Sequence, residues 1–305
     1  MRPNRPKIPA WGSELTRRSR RVGAGFLAMW VSVSVVDVAL AQQVPELTAP
    51  DRLRVCADPS SLPFSNRDRA GFENKIADIV ADELKLPLRY YWVPQGPGFV
   101  RNTLGSGLCD VIIGYASGAD IVQHTNPYYT STYVLVTKRG SPIDGVERLE
   151  DPRLKDAKLG VIAATPAADH LLRLGLTAGA KTYSLLVDRR YDSPAEEALA
   201  DVSSGIIDGA ILWGPIGGYF ASRAGGPAFS VSPLHEDVRP SLAFRITFGI
   251  RANEPNWKHR LNGVIRKRQK DIDAVLASYG VPLVSRDAAP PDPVAQPSDG
   301  TEEGQ

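Results

Sequence analysis

The residues best equipped for chemistry gather in loops. Pro63, Phe64 and Asn66 follow the apolar run LRVCA, Gln95, Arg101 and Asn102 follow LPLRYYWVP, and Tyr115 and Ser117 follow CDVIIG. Amides and phenols hydrogen-bond, a guanidinium holds an anion, and aromatic rings stack on apolar or cationic groups. This is chemistry of recognition rather than of bond-breaking. Phe64 has an alternative use in packing its loop onto a sheet, and Arg101 in a surface ion pair on a helix.

The common catalytic signatures are missing. There is no G-x-S-x-G turn, no G-x-x-x-x-G-K-[ST] loop, no G-x-G-x-x-G after a strand and no H-E-x-x-H. His124, His170, His235 and His259 are too scattered for metal-ligand spacing, and no D-x-[DN]-x-[DN]-G loop occurs. The Glu196-Glu197 pair lies in a helical pattern whose outer face is polar. Nothing here asks for an enzyme, a metal or a resident cofactor.

The elements that position these loops follow from periodicity. LRVCA, LPLRYYWVP and CDVIIG read as strands, and GFVRNTL as a short helix ended by Gly105-Ser106-Gly107. Between the first two strands, Phe72, Ile76, Ile79, Val80 and Leu84 share one face of a helix over 72–84. A further apolar run, YVLVTKRG, leads into the charged stretch VERLEDPRLKDAK. A second α/β unit follows through KLGVIAATPAADHLLRLGL, KTYSLLV, SPAEEALADVSSG and IIDGAILWGPIGGYFA. LAFRITFGIRANEP then returns as a long apolar run before a helix over 256–279. Alternating strands and helices predict an α/β protein with largely parallel sheets, organised as two lobes with chain crossings near 135–140 and 236–250. Loops at the carboxyl ends of parallel strands line the binding crevice of such sheets, so the first loop is expected to wall a cleft.

Composition agrees: 305 residues with 43% apolar content support two cores. Arg17, Arg18, Arg20 and Arg21 precede an apolar run from Val22 to Val36 that ends at Ala39-Leu40-Ala41, a secretory signal pattern over residues 1–41. That run is shorter than the roughly 20 residues a bilayer requires, so no membrane span is expected in the mature chain. The segment holds seven Lys/Arg and two Asp/Glu, and removing it takes the formal net charge from +2 to −3. A basic surface for nucleic acid is thereby excluded. Cys56 and Cys109 would then lie in an oxidising compartment, as one disulfide or as two buried thiols. Beyond Asp287 the chain is rich in Pro and acidic residues and is read as disordered.

In order along the chain, LRVCADPSSLPFSN, GFENKIADIVADEL, CDVIIG, TNPYYTSTYVLV, KLGVIAATPAADHLL, IIDGAILWGP and YGVPL resemble a periplasmic solute-binding protein of the amino-acid-binding type over about residues 52–284. The resemblance implies a type II, two-lobed Venus-flytrap. Its lobes are expected at 51–138 and 139–237, with a return to the first lobe and a C-terminal helix at 238–286 and a tail at 287–305. VPQGPGFVRNTLGSGLCDVIIG and NPYYTSTYV are further similar to the quinoprotein dehydrogenase-associated branch, the methanol oxidation protein J family. That likeness implies a periplasmic, non-catalytic protein working beside a PQQ-dependent alcohol or methanol dehydrogenase, which could be lanthanide-dependent, and its c-type cytochrome. It also implies that the two cysteines form a pair.

Two departures from amino-acid binders stand out. No arginine lies between Tyr115 and Tyr129, where the ligand carboxylate would be gripped, and Trp213 stands where an aspartate would meet the ligand ammonium. The cleft so implied is made by Asp58, Pro63, Phe64, Asn66, Glu73, Gln95, Arg101, Asn102, Tyr115, Ser117, Tyr128, Tyr129, Thr165, Trp213 and Tyr219. Tyr128, Tyr129, Trp213 and Tyr219 would supply the aromatic anchors typical of binding hot spots. A competing expectation is a receptor that delivers a small non-amino-acid solute to an ABC transporter.

Overall fold

The computed structural model describes residues 46–118, 121–223, 228–236, 239–285 and 288–289, all within the compact unit Val44–Gln305. The expected signal at 1–41 lies outside them, as does the expected tail apart from Ala288 and Ala289. Ala289 is buried, and its carbonyl accepts from Arg245 Nη2 at 3.2 Å.

The first lobe begins with β1 (Leu53–Ala57), the two-residue strands β2 (Ser60–Ser61) and β3 (Ser65–Asn66), α1 (Phe72–Leu84), β4 (Leu88–Trp92), α2 (Phe99–Asn102), β5 (Ile112–Ala116) and β6 (Gln123–His124). β1 pairs in parallel with β4, and Val55 bridges in parallel to Val111 just before β5. α1 forms where the apolar period placed it, with Phe72, Ile76 and Val80 fully buried. Asn74 fixes its entry: Oδ1 accepts from the amides of Gly71 and Asn66, both at 3.1 Å. Gly71 is required because a Cβ there would sit 2.0 Å from the Phe64 carbonyl oxygen.

β7 (Tyr129–Lys138) belongs to both lobes. Its first residues, Tyr129–Thr132, pair with β12 (Ala243–Ile250), which also pairs with β5 and β6. From Tyr133 onward it pairs with β10 (Gly209–Trp213) on one side and β11 (Phe229–Pro233) on the other. The partner change at Thr132–Tyr133 comes a few residues before 135–140. A continuous apolar strand carries no mark of where its neighbours are exchanged.

The second lobe is completed by β8 (Leu159–Ile162), α3 (Pro166–Arg173), β9 (Lys181–Tyr183), α4 (Pro194–Ser204) and α5 (Gly214–Arg223), and α6 (Pro255–Ser278) packs back on the first. β8 pairs in parallel with β9 and β10. The parallel pairs anticipated from sequence therefore form the outer part of each lobe. The crossing strands β7 and β12 run antiparallel to their neighbours and make the central sheet mixed.

Separate cores support the lobes. One gathers Leu53, Phe72, Phe248, Trp257 and Leu261, and two others, around Leu135, Leu159 and Ile211 and around Val136, Ala198 and Leu212, lie on the two faces of the second sheet. Cys56, in β1, and Cys109, ahead of β5, form a disulfide with a Cα–Cα distance of 5.5 Å and a sequence separation of 53 residues. Closing a loop of that size stabilises the chain by about 4 kcal/mol in the chain-entropy account. No helix among the described residues is long and apolar enough to cross a membrane.

Candidate functional site

Three loops converge on one carboxylate. Asp58, just after β1, accepts from its own loop at Ser60 N (2.8 Å) and from the loop after β4 at Gln95 N (2.7 Å). From the second lobe, in the loop between β9 and α4, Arg189 Nη1 reaches Asp58 Oδ2 at 3.3 Å and Ser61 Oγ at 3.1 Å. The two lobes are thus joined across the cleft by one guanidinium. The Asp58 side chain is 4% exposed and that of Arg189 39%.

Two connected chambers flank this bridge. The outer, about 680 Å³, is lined from the first lobe by Ser60 to Leu62, Phe64 and Asn66 to Asp68. From the second lobe it receives Thr165, Leu185, Val187, Arg190 and Trp213, with Ile216, Tyr219, Phe220 and Arg223 from α5. The inner, about 300 Å³, is lined by Glu73, Gln95, Gly114, Tyr129, Phe244 and Ile246, and Ser61, Phe64, Tyr133, Arg189 and Trp213 face both. The Trp213 ring meets Tyr133 at 5.5 Å and Phe244 at 5.7 Å, both edge-to-face. Tyr219 stacks on Tyr279 at 5.9 Å, and the Arg223 guanidinium lies 4.0 Å from the Tyr219 ring centre. Both volumes suit small molecules.

Glu73 is the electrostatic outlier. It is 8% exposed, and its carboxyl has no hydrogen-bond partner among the described residues. Burial, and then the charge of Asp58, push its pKa from 4.5 up to about 8. The positive end of α1, where Glu73 stands in the first turn, favours the carboxylate but does not offset that burial. Burial and then the Glu73 charge also raise Tyr129 well above 10, and burial raises Tyr133 to about 12, so both phenols are neutral donors.

The residues expected in the cleft divide into two groups. Phe64, Asn66, Glu73, Gln95, Tyr129, Thr165, Trp213 and Tyr219 line a chamber, and Asp58 holds the bridge. Pro63 is buried beneath the hairpin, where its carbonyl accepts from Phe72 N at 2.8 Å. Tyr128 is core, its hydroxyl donating to the Ile113 carbonyl at 3.1 Å. Tyr115 packs with the cluster around the disulfide, 6.0 Å from the His124 ring. Ser117 is tied to β12 through the Arg245 carbonyl, and Arg101 and Asn102 are exposed on α2. None of these six side chains lines either chamber: on β5 it is Gly114 and Ala116 that reach the inner chamber while Tyr115, between them, points to the other face, and α2 contributes nothing to either lining.

Arg189, Tyr133 and Phe244 were not singled out from sequence. Arg189 was within reach, since it follows a parallel strand, β9, as the first-lobe residues follow theirs. Tyr133 and Phe244 sit on crossing strands, where long-range antiparallel pairing brings them to the cleft.

Two lobes joined by shared strands around a ligand-sized cleft define a binding protein of the periplasmic type. Residues 53–281 match the bacterial extracellular solute-binding proteins, family 3, and the chain belongs to that family. It is 27% identical over 263 residues to Protein MoxJ of Paracoccus denitrificans, covering 81% of this chain and 94% of that protein. A second Protein MoxJ, from Methylorubrum extorquens, is 26% identical over 297 residues, 88% of this chain and 98% of that protein. Among solved structures, the periplasmic binding protein XoxJ from Methylobacterium extorquens AM1 is 48% identical, with a TM-score of 0.65 over 76% of this chain and 99% of XoxJ. MxaJ from Methlophaga aminisulfidivorans MPT is 25% identical, with a TM-score of 0.67 over 76% of this chain and all of MxaJ (100%).

Proposed function

We propose that this chain is a non-catalytic periplasmic binding protein serving a PQQ-dependent alcohol or methanol dehydrogenase, whose maturation or activation it aids through its cleft. The observation that carries the reading is the inter-lobe cleft, held by Arg189 and Asp58, on a chain 48% identical to a periplasmic binding protein of the same architecture. Groups lining its outer chamber, Tyr219 and Phe220 with Arg223, are of the types that anchor protein partners.

The test is calorimetric titration of the dehydrogenase from the same organism with this protein, together with dehydrogenase activity and cofactor loading in its presence and absence. Saturable binding that changes activity or loading is expected. No heat of binding at tens of micromolar overturns the accessory role. The chamber volumes favour a second reading, a receptor that delivers a small solute to a transporter. It requires a ligand that binds the closed form better than the open one, which solution scattering would register as compaction.

A further inference from the structure

The inner chamber holds an ionisable group with no opposite charge to pair it. Arg189 lies against Asp58, so that pair is neutral, and what remains is the carboxyl of Glu73. The groups facing it are Asp58 from the loop after β1, Arg189 from the loop after β9, Tyr128 just before β7, and Tyr129 and Tyr133 from β7. The chamber lining contains no other aspartate, glutamate, lysine, arginine or histidine among the described residues. Glu73 is held in place, since its amide donates to the Phe64 carbonyl at 2.9 Å at the fixed start of α1. Gly114 opposite it leaves room for the carboxyl, as a Cβ there would fall 1.9 Å from Oε1.

A buried, unpartnered carboxyl is costly, and a proton or a cation relieves it. Around this one stand Tyr129, Tyr133, Trp213 and Phe244, whose rings attract cations through their quadrupoles and accommodate alkyl groups. A bare metal ion would want several oxygen ligands, and no cluster of three or more His, Cys, Asp or Glu able to hold one occurs among the described residues. An alkyl-bearing ammonium matches both the single carboxylate and the aromatic walls.

We propose that the inner chamber binds a small organic ammonium ion, with Glu73 as its counter-charge and Tyr129, Tyr133, Trp213 and Phe244 around its alkyl groups. The inference rests on the reading that the cleft accepts a guest, and it does not require the dehydrogenase. Glu73 holds its proton up to about pH 8, so cation binding displaces that proton. Ammonium affinity therefore rises by about 50-fold between pH 6 and pH 8 and levels off above.

Three probes sharing one carbon chain test this: butylammonium, butan-1-ol and butanoate, each titrated calorimetrically into the purified protein at pH 6, 7 and 8.5. The expected result is that butylammonium binds most tightly at pH 8.5, weakens toward pH 6 and releases close to one proton at pH 6, measured in buffers of different ionisation enthalpy. Glu73→Gln is expected to lose this pH dependence and bind butylammonium no better than butanol. If butanol binds as tightly as butylammonium at pH 8.5, or Glu73→Gln keeps the ammonium affinity, the inference is overturned while a guest-binding cleft stands. If none of the three binds, the inference also falls, and the titration with the dehydrogenase decides the accessory role on its own.

Discussion

Charge is buried in two places in this molecule, and they are built on opposite plans. At the base of the first lobe, Asp110 (0% exposed side chain) is gripped through both oxygens by Arg54 at 2.6 and 2.9 Å, and Oδ1 also accepts from Arg251 at 3.0 Å. Arg251 bonds Glu254 Oε1 through two nitrogens, at 2.7 and 3.0 Å, and donates to the Cys109 carbonyl. Two cations and two anions cancel. In the cleft, Asp58 and Arg189 cancel and Glu73 is left over. Glu254 Oε2 is left without a hydrogen bond, so what separates the two places is charge balance rather than full hydrogen bonding: the first-lobe cluster matches each anion with a cation, and the cleft does not.

The most severe way to break the comparison is to unbalance the first-lobe cluster. Asp110→Ala takes the carboxylate from Arg54 and leaves the 8% exposed Arg251 with Glu254 alone, and is expected to cost roughly 3–5 kcal/mol in urea denaturation. The opposite sign is expected in the cleft. The Glu73 pKa is raised on folding, so its contribution is complete below about pH 4.5 and is lost as pH rises through 8. Glu73→Gln removes that loss, and the variant should be more stable than the parent by roughly 2–4 kcal/mol at pH 8 and equal to it near pH 4. Thermal unfolding across that range checks it, and a pH-independent difference would mean that Glu73 titrates in the fold as it does in the unfolded chain.

Gly114→Ala sharpens the same point. Its Cβ collides with Glu73 Oε1, and overpacking of this kind costs roughly 1–3 kcal/mol. In a Glu73→Ala background the collision is gone, so the cost should vanish. A double-mutant cycle reads this as a coupling of 1 kcal/mol or more, on the order found for residues in contact. Independence of the two changes would show that the glycine serves the backbone of β5 rather than the carboxyl.

How much of this could be read from sequence differs by element. α1 was placed at its observed bounds and α6 within a residue, because long amphipathic periods declare themselves. β6 and β11 were not seen: one has two residues, the other reads FSVSP, and both exist through pairing with β12 and β7 far away in sequence. The cleft followed the same rule. Phe64 and Gln95 are legible because they follow strands, and Trp213 because it stands where amino-acid binders carry an aspartate, while Phe244 requires knowing that β12 crosses beside β7. Arg101 was misjudged in position because a strand-end loop can turn away from the cleft, as α2 does here. That Glu73 lacks a partner is a property of packing, and no residue pattern announces it.

The smallest expected change in stability tests whether the lobes are held together by the cleft itself. Arg189 is 39% exposed, so its pair with Asp58 is screened by solvent and contributes at most about 1 kcal/mol. Arg189→Ala should therefore leave urea denaturation nearly unchanged, in contrast to Asp110→Ala. It also removes the one hydrogen-bonded link described here between the hairpin of the first lobe and the loop after β9. An inter-lobe equilibrium responds to tenths of a kcal/mol that global unfolding does not register. The radius of gyration of the ligand-free protein should rise in Arg189→Ala and in unaltered protein at high salt, and high salt should add nothing further to the variant. Equal radii for variant and parent at low salt would show that the strand crossings at Thr132–Tyr133, rather than the charge bridge, set the angle between the lobes.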